Sequence, residues 1–107
     1  MNTYIYVLRL PERLYDAANW TDEEGNIVSA HFQYLKENVE KGVVILAGRT
    51  DQTDATGFGI VIFQAENEEA AEHFKNHDPA VQQGVMTAEL SRYRLALLNE
   101  QFSLAIN

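Results

Sequence analysis

Hydrophobic and polar positions alternate with a period of two near the start of the chain. In "TYIYVLRL", Tyr4, Tyr6, Leu8 and Leu10 fall on one side and Ile5, Val7 and Arg9 on the other. That alternation predicts a strand that stops at Pro11. "PERLYDAANWTDEEGN" follows as a loop with turn formers at both ends. From Ile27 to about Lys41 the period becomes helical. Val28, Phe32, Leu35 and Val39 are spaced by four, three and four and form one apolar stripe, with Asn26 placed to cap the start and Gly42 to end the helix. "VVILAG" predicts a second strand, "RTDQTDATG" a polar loop and "FGIVIFQA" a third strand. Asn67 caps a second helix with Glu68 and Glu69 in its first turn and Ala70, Ala71 and Phe74 as its apolar positions. That helix ends near His77, since the residue before Pro79 avoids helical dihedrals. "VMTAELSRYRLALL" predicts a last strand, and its apolar phase slips between Leu90 and Tyr93, which predicts a bulge or bend near Ser91.

The order strand, helix, strand, strand, helix, strand is the split βαβ pattern. It predicts an α+β fold: a ferredoxin-like βαββαβ sandwich with a four-stranded antiparallel sheet and both helices on one face. A sheet with one wet face alternates apolar and polar positions. "VVILAG" and "GIVIF" do not, so both faces need cover, and two helices cover only one. The expected cover for the other is a second copy of the same sheet, giving a symmetric homodimer packed sheet to sheet into a barrel-like pair. The competing cover is the chain's own tail, 95–107, folded back.

Composition narrows the function classes. The 107 residues are 46% apolar and 10% aromatic, enough for one real core. Sixteen acidic against eight basic residues give a net charge of −8. That balance repels phosphate backbones and anionic lipid, so neither nucleic acid nor a membrane is an expected partner. There is no cysteine, which excludes disulfides, thiolate nucleophiles and zinc–sulfur sites. "MNTYIYVLRL" does not read as a signal peptide, and no apolar run approaches the roughly 18 residues of a membrane span. A cytoplasmic protein is the default expectation.

The chemistry-bearing residues are few. His31 sits roughly 60° from the centre of the apolar stripe on the first helix, so it faces the sheet or the groove beside it. It is either a boundary histidine satisfied by one hydrogen bond or a proton carrier, since imidazole titrates near neutral pH. Asp78 precedes Pro79, and "PAVQQG" reads as a short helical turn capped by that aspartate. A capping carboxylate is also held rigidly enough to orient an imidazole and fix its tautomer. His73 and His77 share a helix face, but no HExxH pattern accompanies them, and they are read as surface histidines; no metal or organic cofactor is expected. Arg49 opens the polar loop. It could bind a ligand carboxylate bidentately or pair with Asp51 or Asp54. The loop lacks a phosphate-binding glycine pattern, and no GxSxG elbow exists.

"HFQYLKENVEKGVVILAGR", "GFGIVIFQAENEEAAEHFKNHDPAVQQGV" and a final strand together resemble the YCII-related domain over Tyr4 to Tyr93. The carrying features are the histidine four residues before a leucine on the first helix, "GVVILAG" entering the second strand, and "DPAVQQGV". The resemblance implies a dimeric α+β barrel formed by one domain over 1–107, with 95–107 as a C-terminal extension. It also implies a neighbouring histidine and aspartate in a cleft, which match His31 and Asp78. The resemblance implies that some relatives act on small hydroxylated or chlorinated aromatic acids, while many have no assigned substrate. This chain departs from the pattern at Arg49, where a proline is common, and at "SRYRLALL", where a Pro–Trp pair is common. The expectation that follows is a small-molecule enzyme in which His31 is general base and acid, Asp78 orients it, and Arg49 and Tyr93 hold the ligand. Such a pair suits isomerisation or elimination. The alternative is a dimer that binds a metabolite or a protein and catalyses nothing.

Overall fold

The strand read at the N-terminus, β1 (Asn2–Arg9), is an inner strand of a four-stranded antiparallel sheet of order β2-β3-β1-β4 in the computed structural model, which describes residues 1–104. The other strands are β2 (Val44–Arg49), β3 (Gly59–Ala65) and β4 (Thr87–Arg92). The helices are α1 (Asp22–Glu40), α2 (Glu68–Asn76) and the one-turn α3 (Pro79–Gln82). This is the ferredoxin-like α+β architecture that the element order predicts.

The period-two pattern sorts β1 as expected. Tyr4, Tyr6 and Leu8 point at the helices and are buried, and they pair in register with Phe63, Val61 and Gly59 of β3. With Val44, Leu35 and Ala71 they form the core, against which Tyr34, Phe74 and Met86 are packed. Its centre is aromatic. The Phe63 and Phe74 rings are 4.7 Å apart, Tyr6 lies 5.6 Å from Phe63, and Tyr34 stacks on Phe74 at 5.0 Å. Rings at these separations add attraction beyond their buried area. On the opposite face Ile5 and Val7 pair with Ile62 and Ile60, and Leu46 pairs with Ile62 from the other side. Leu46 is 43% exposed, so this second face is apolar and partly open, as the strand sequences imply.

Two boundaries and the position of one bulge differ from what the sequence predicts. First, α1 starts at Asp22 and not at Ile27. Thr21 caps it, its hydroxyl accepting from the Glu24 N–H while the Glu24 carboxylate accepts from the Thr21 N–H. That reciprocal capping box, with Asp22, Glu23 and Glu24 against the positive end of the helix, outweighs the turn-forming Gly25 and Asn26. The segment before it is ordered into two 3₁₀ turns, Glu12–Tyr15 and Ala17–Asn19, and buries Leu14. Second, β4 ends at Arg92. It pairs Arg92 with Tyr4, and the Tyr93 N–H reaches the Thr3 carbonyl at 2.9 Å; beyond that β1 has almost no residues left to pair with. Third, the β1–β4 register is continuous through Ser91, and the bulge lies in β2 instead. Val44 pairs with Phe63 and Leu46 with Ile62, leaving Ile45 as the extra residue. After β4, Leu97, Phe102 and Leu104 are strongly exposed, so these side chains do not cover the open sheet face. The remainder of the extension, 105–107, lies outside the described residues.

Candidate active site

The α1 stripe does not all enter the core. Leu35 is buried, but Phe32 is 67% and Val39 49% exposed. Together with Val28 they form one wall of a cavity of about 780 Å³ between α1 and the sheet. Leu8, Ala47 and Val61 line it from the sheet, and Trp20 and Phe58 also line it. The Trp20 indole N–H donates to the Leu14 carbonyl at 3.0 Å, which ties that lining residue to the 3₁₀ segment. The walls are apolar, and the polar and charged side chains among the lining are His31, Lys36, Arg49, Thr53 and Asp54.

His31 lies on α1 between Val28 and Leu35 and lines this cavity. Its Nδ1 is 2.6 Å from Oδ1 of Asp78. Asp78 is fully buried and is held there by its own backbone role. As N-cap of α3 it accepts the Ala80 N–H on Oδ1 at 3.0 Å, and Pro79 sets the first helical residue. Its second oxygen, Oδ2, accepts the Tyr6 hydroxyl at 2.7 Å. The carboxylate thus takes three donors and has no exposed surface. When Asp78 is ionised its oxygens only accept, so the His31 ring donates to it from Nδ1; Nε2 makes no hydrogen bond to protein among the described residues.

The phenols around this carboxylate are pushed towards their neutral forms. The Tyr6 hydroxyl is raised far above the usual tyrosine range by burial first, then by the Asp78 charge and the bond to it. Tyr34 is raised by burial and then by the same charge. It does not bond to Asp78; its hydroxyl donates to the Phe74 carbonyl at 2.8 Å.

Arg49 reaches the cavity because of the bulge. Val44 faces the core; without the extra residue Ile45, strict alternation would turn Arg49 to the opposite face. With it, Ala47 and Arg49 pair with Val61 and Gly59, on the side of Leu8. Among the described residues the ion pairs are Arg13–Glu24, Lys75–Glu72 and His31–Asp78, so Arg49 has no carboxylate partner. Tyr93 is elsewhere. It adjoins Thr3, at the far end of β1 from Leu8, roughly 17 Å along the strand, and it does not line the cavity. His73 and His77 stack at 3.9 Å on the exposed side of α2, and among the described residues no group of three or more metal-ligating side chains occurs.

Tyr6 and Trp20 are the site residues that the sequence reading missed. A tyrosine on the buried side of a strand needs a partner for its hydroxyl, and that was the available signal for Tyr6. Trp20 lies in a segment whose turn formers predict a loop.

A family model of the YCII-related domain matches residues 1–91. No curated protein matches the chain. Among solved structures, it is similar to the 5-chloro-2-hydroxyhydroquinone dehydrochlorinase TftG from Burkholderia phenoliruptrix AC1100, in complex with 2,5-dihydroxybenzoquinone. The two are 23% identical with a TM-score of 0.62, over 90% of this chain and 96% of that one. At that identity the likeness is one of fold. No described helix is long and apolar enough to cross a membrane.

Proposed function

The chain belongs to the YCII-related domain family, and from that premise we propose that it is an enzyme acting on a small, ring-shaped molecule by acid–base chemistry. One observation carries this reading: His31 Nδ1 is fixed on a buried carboxylate while the same ring lines a cavity large enough for a metabolite. In the proposed reaction Nε2 takes a proton from a C–H or O–H of the ligand. Asp78 stabilises the imidazolium that forms and keeps the ring from turning. The proton is then returned to another atom, giving isomerisation, or leaves with an anionic group, giving elimination. The chemistry needs no metal or organic cofactor. The apolar walls fit the faces of a ring, and Arg49, which has no carboxylate partner among the described residues, is the group to meet a phenolate or carboxylate at the rim. Tyr93 is not assigned a part in this cavity.

The fold-level neighbour is a dehydrochlorinase seen with a dihydroxyquinone, and that supplies the probes. Purified protein is offered 5-chloro-2-hydroxyhydroquinone, with chloride release as readout, and 2,5-dihydroxybenzoquinone, with calorimetric binding as readout. Saturable binding and turnover that falls by roughly 10² to 10⁴ in His31→Ala support the reading. Binding without turnover of this or related chlorinated hydroquinones makes the cavity a binding module. Turnover undiminished in His31→Ala overturns the acid–base pair.

We also propose that the open face carrying Ile5, Val7, Leu46 and Ile60 packs against a second copy of the chain. An exposed apolar sheet face is the usual mark of such an interface. Light scattering gives twice the 12.1 kDa chain mass if this holds, and Leu46→Asp shifts the particle to one chain. A monomer at micromolar concentration sinks the proposal.

A further inference from the structure

We propose that the Tyr6 hydroxyl is a positioning group of this site: its bond to Asp78 keeps the carboxylate ionised and thereby keeps the cavity-facing nitrogen of His31 free of a proton. The inference rests on the acid–base reading above and extends it to a residue on a different element. Tyr6 is fully buried on β1, with Phe63 and Phe74 beside its ring. Among the described residues its hydroxyl has one partner, Asp78 Oδ2 at 2.7 Å.

The consequence follows from counting donors. Among the described residues, Oδ1 is served by Ala80 N–H and His31, and Oδ2 by Tyr6 alone. Asp78 has no exposed surface, so solvent does not replace a lost donor without rearrangement. A buried carboxylate short of one donor takes a proton more readily. Once protonated, it donates to His31 Nδ1, and the ring's own proton moves to Nε2. The cavity then meets a donor where it had met a base. Among the described residues, the neighbouring Tyr34 and His77 are both engaged elsewhere. The other titratable side chain that feels the Asp78 charge, Tyr34 from α1, gives its hydroxyl to the Phe74 carbonyl. His77, next to Asp78 in the chain, has its Nδ1 at the His73 carbonyl.

The experiment is ¹⁵N NMR of the three histidines in the full chain, which reports which ring nitrogen carries the proton as pH is varied. His73 and His77 serve as internal references. In the unaltered protein His31 becomes an Nδ1–H ring at high pH. In Tyr6→Phe, which keeps the ring and its packing, the pH at which that form is half-populated rises by about one unit, a tenfold change. The two reference histidines do not move. A 3-fluorotyrosine at position 6, a stronger donor of nearly the same shape, moves it the other way. Should Tyr6→Phe not fold, the fluorinated residue decides alone. A His31 midpoint that ignores both changes overturns the role of Tyr6 and leaves the acid–base reading standing. A His31 ring that is Nε2–H at high pH in the unaltered protein overturns that reading itself.

Discussion

Nδ1 of His31 lies 2.6 Å from Oδ1 of Asp78, although 47 residues separate them in the chain. The two ends of this bond differ in what they hold. The histidine side chain is 14% exposed and the aspartate not at all. Asp78→Ala removes the α3 cap and leaves the buried Tyr6 hydroxyl without its acceptor, so it costs about 2–4 kcal/mol. His31→Ala leaves Asp78 two donors and opens a route for water, so it costs about 1 kcal/mol or less. Urea unfolding of the two variants shows this asymmetry if the carboxylate is the structural end and the imidazole the chemical one. Equal losses contradict it.

Alkaline pH weakens the fold through Tyr6 and Tyr34. Both hydroxyls are held well above the ordinary tyrosine range, by burial first and the Asp78 charge second. Unfolded tyrosines release their protons near pH 10 while these two keep theirs. Above that pH the unfolded state therefore binds fewer protons than the folded one, and stability falls. The contribution is present in full below about pH 10 and drains away above it, by up to about 1.4 kcal/mol per pH unit for a fully buried phenol. Denaturation midpoints between pH 8.5 and 11.5 fall less steeply in Tyr6→Phe than in the unaltered chain.

Acid acts at the other end of α1. Glu24 is held below its usual range by the Thr21 backbone N–H first and by Arg13 second. A depressed carboxylate stabilises the fold above its unfolded value, near pH 4.3, and that stabilisation is lost as pH falls through the lower folded value. Glu24→Gln retains the box and abolishes this part of the acid dependence. Thr21→Ala removes the cap at every pH and costs about 1 kcal/mol. Helical circular dichroism followed from pH 7 to pH 2 separates the two.

On α1, Leu35 belongs to the core and also lines the cavity, whereas Phe32 and Val39 line it from exposed positions. Leu35→Ala opens a void in the core and costs about 2–4 kcal/mol. Phe32→Ala, at a position already 67% exposed, costs less than about 1 kcal/mol. If 2,5-dihydroxybenzoquinone occupies the cavity, Phe32→Ala weakens its binding by roughly tenfold, from lost apolar contact alone. Thermal melts and calorimetry on the same two variants test both statements.

Much of this architecture could be read from the chain because its strands obey their periods. Tyr4, Tyr6 and Leu8 alternate cleanly, and Asn67 and Asp78 cap α2 and α3 as their sequence positions suggest. The misreadings have physical causes. Gly25 and Asn26 look like a turn until Thr21 and Glu24 are seen to bond to each other. The tail beyond Arg92 is apolar enough to extend a strand, but β1 is too short to pair with it. Most consequential is Ile45. One unpaired residue in β2 turns Arg49 from one face of the sheet to the other, and no alternation pattern in "VVILAGR" announces which residue will bulge. The partner of Tyr6 was likewise invisible, because a contact across 72 positions leaves no local trace.

The division of α1 into a core-facing edge and a cavity-facing edge has an evolutionary corollary. Mutations at Phe32 and Val39 can resize the cavity while Leu35 and Tyr34 go on anchoring the helix. If the cavity holds a ligand as proposed, its selectivity can therefore drift quickly on this scaffold at little cost in folding. Sister lineages sharing the same backbone would be expected to diverge first along that outward ridge, long before their interiors differ.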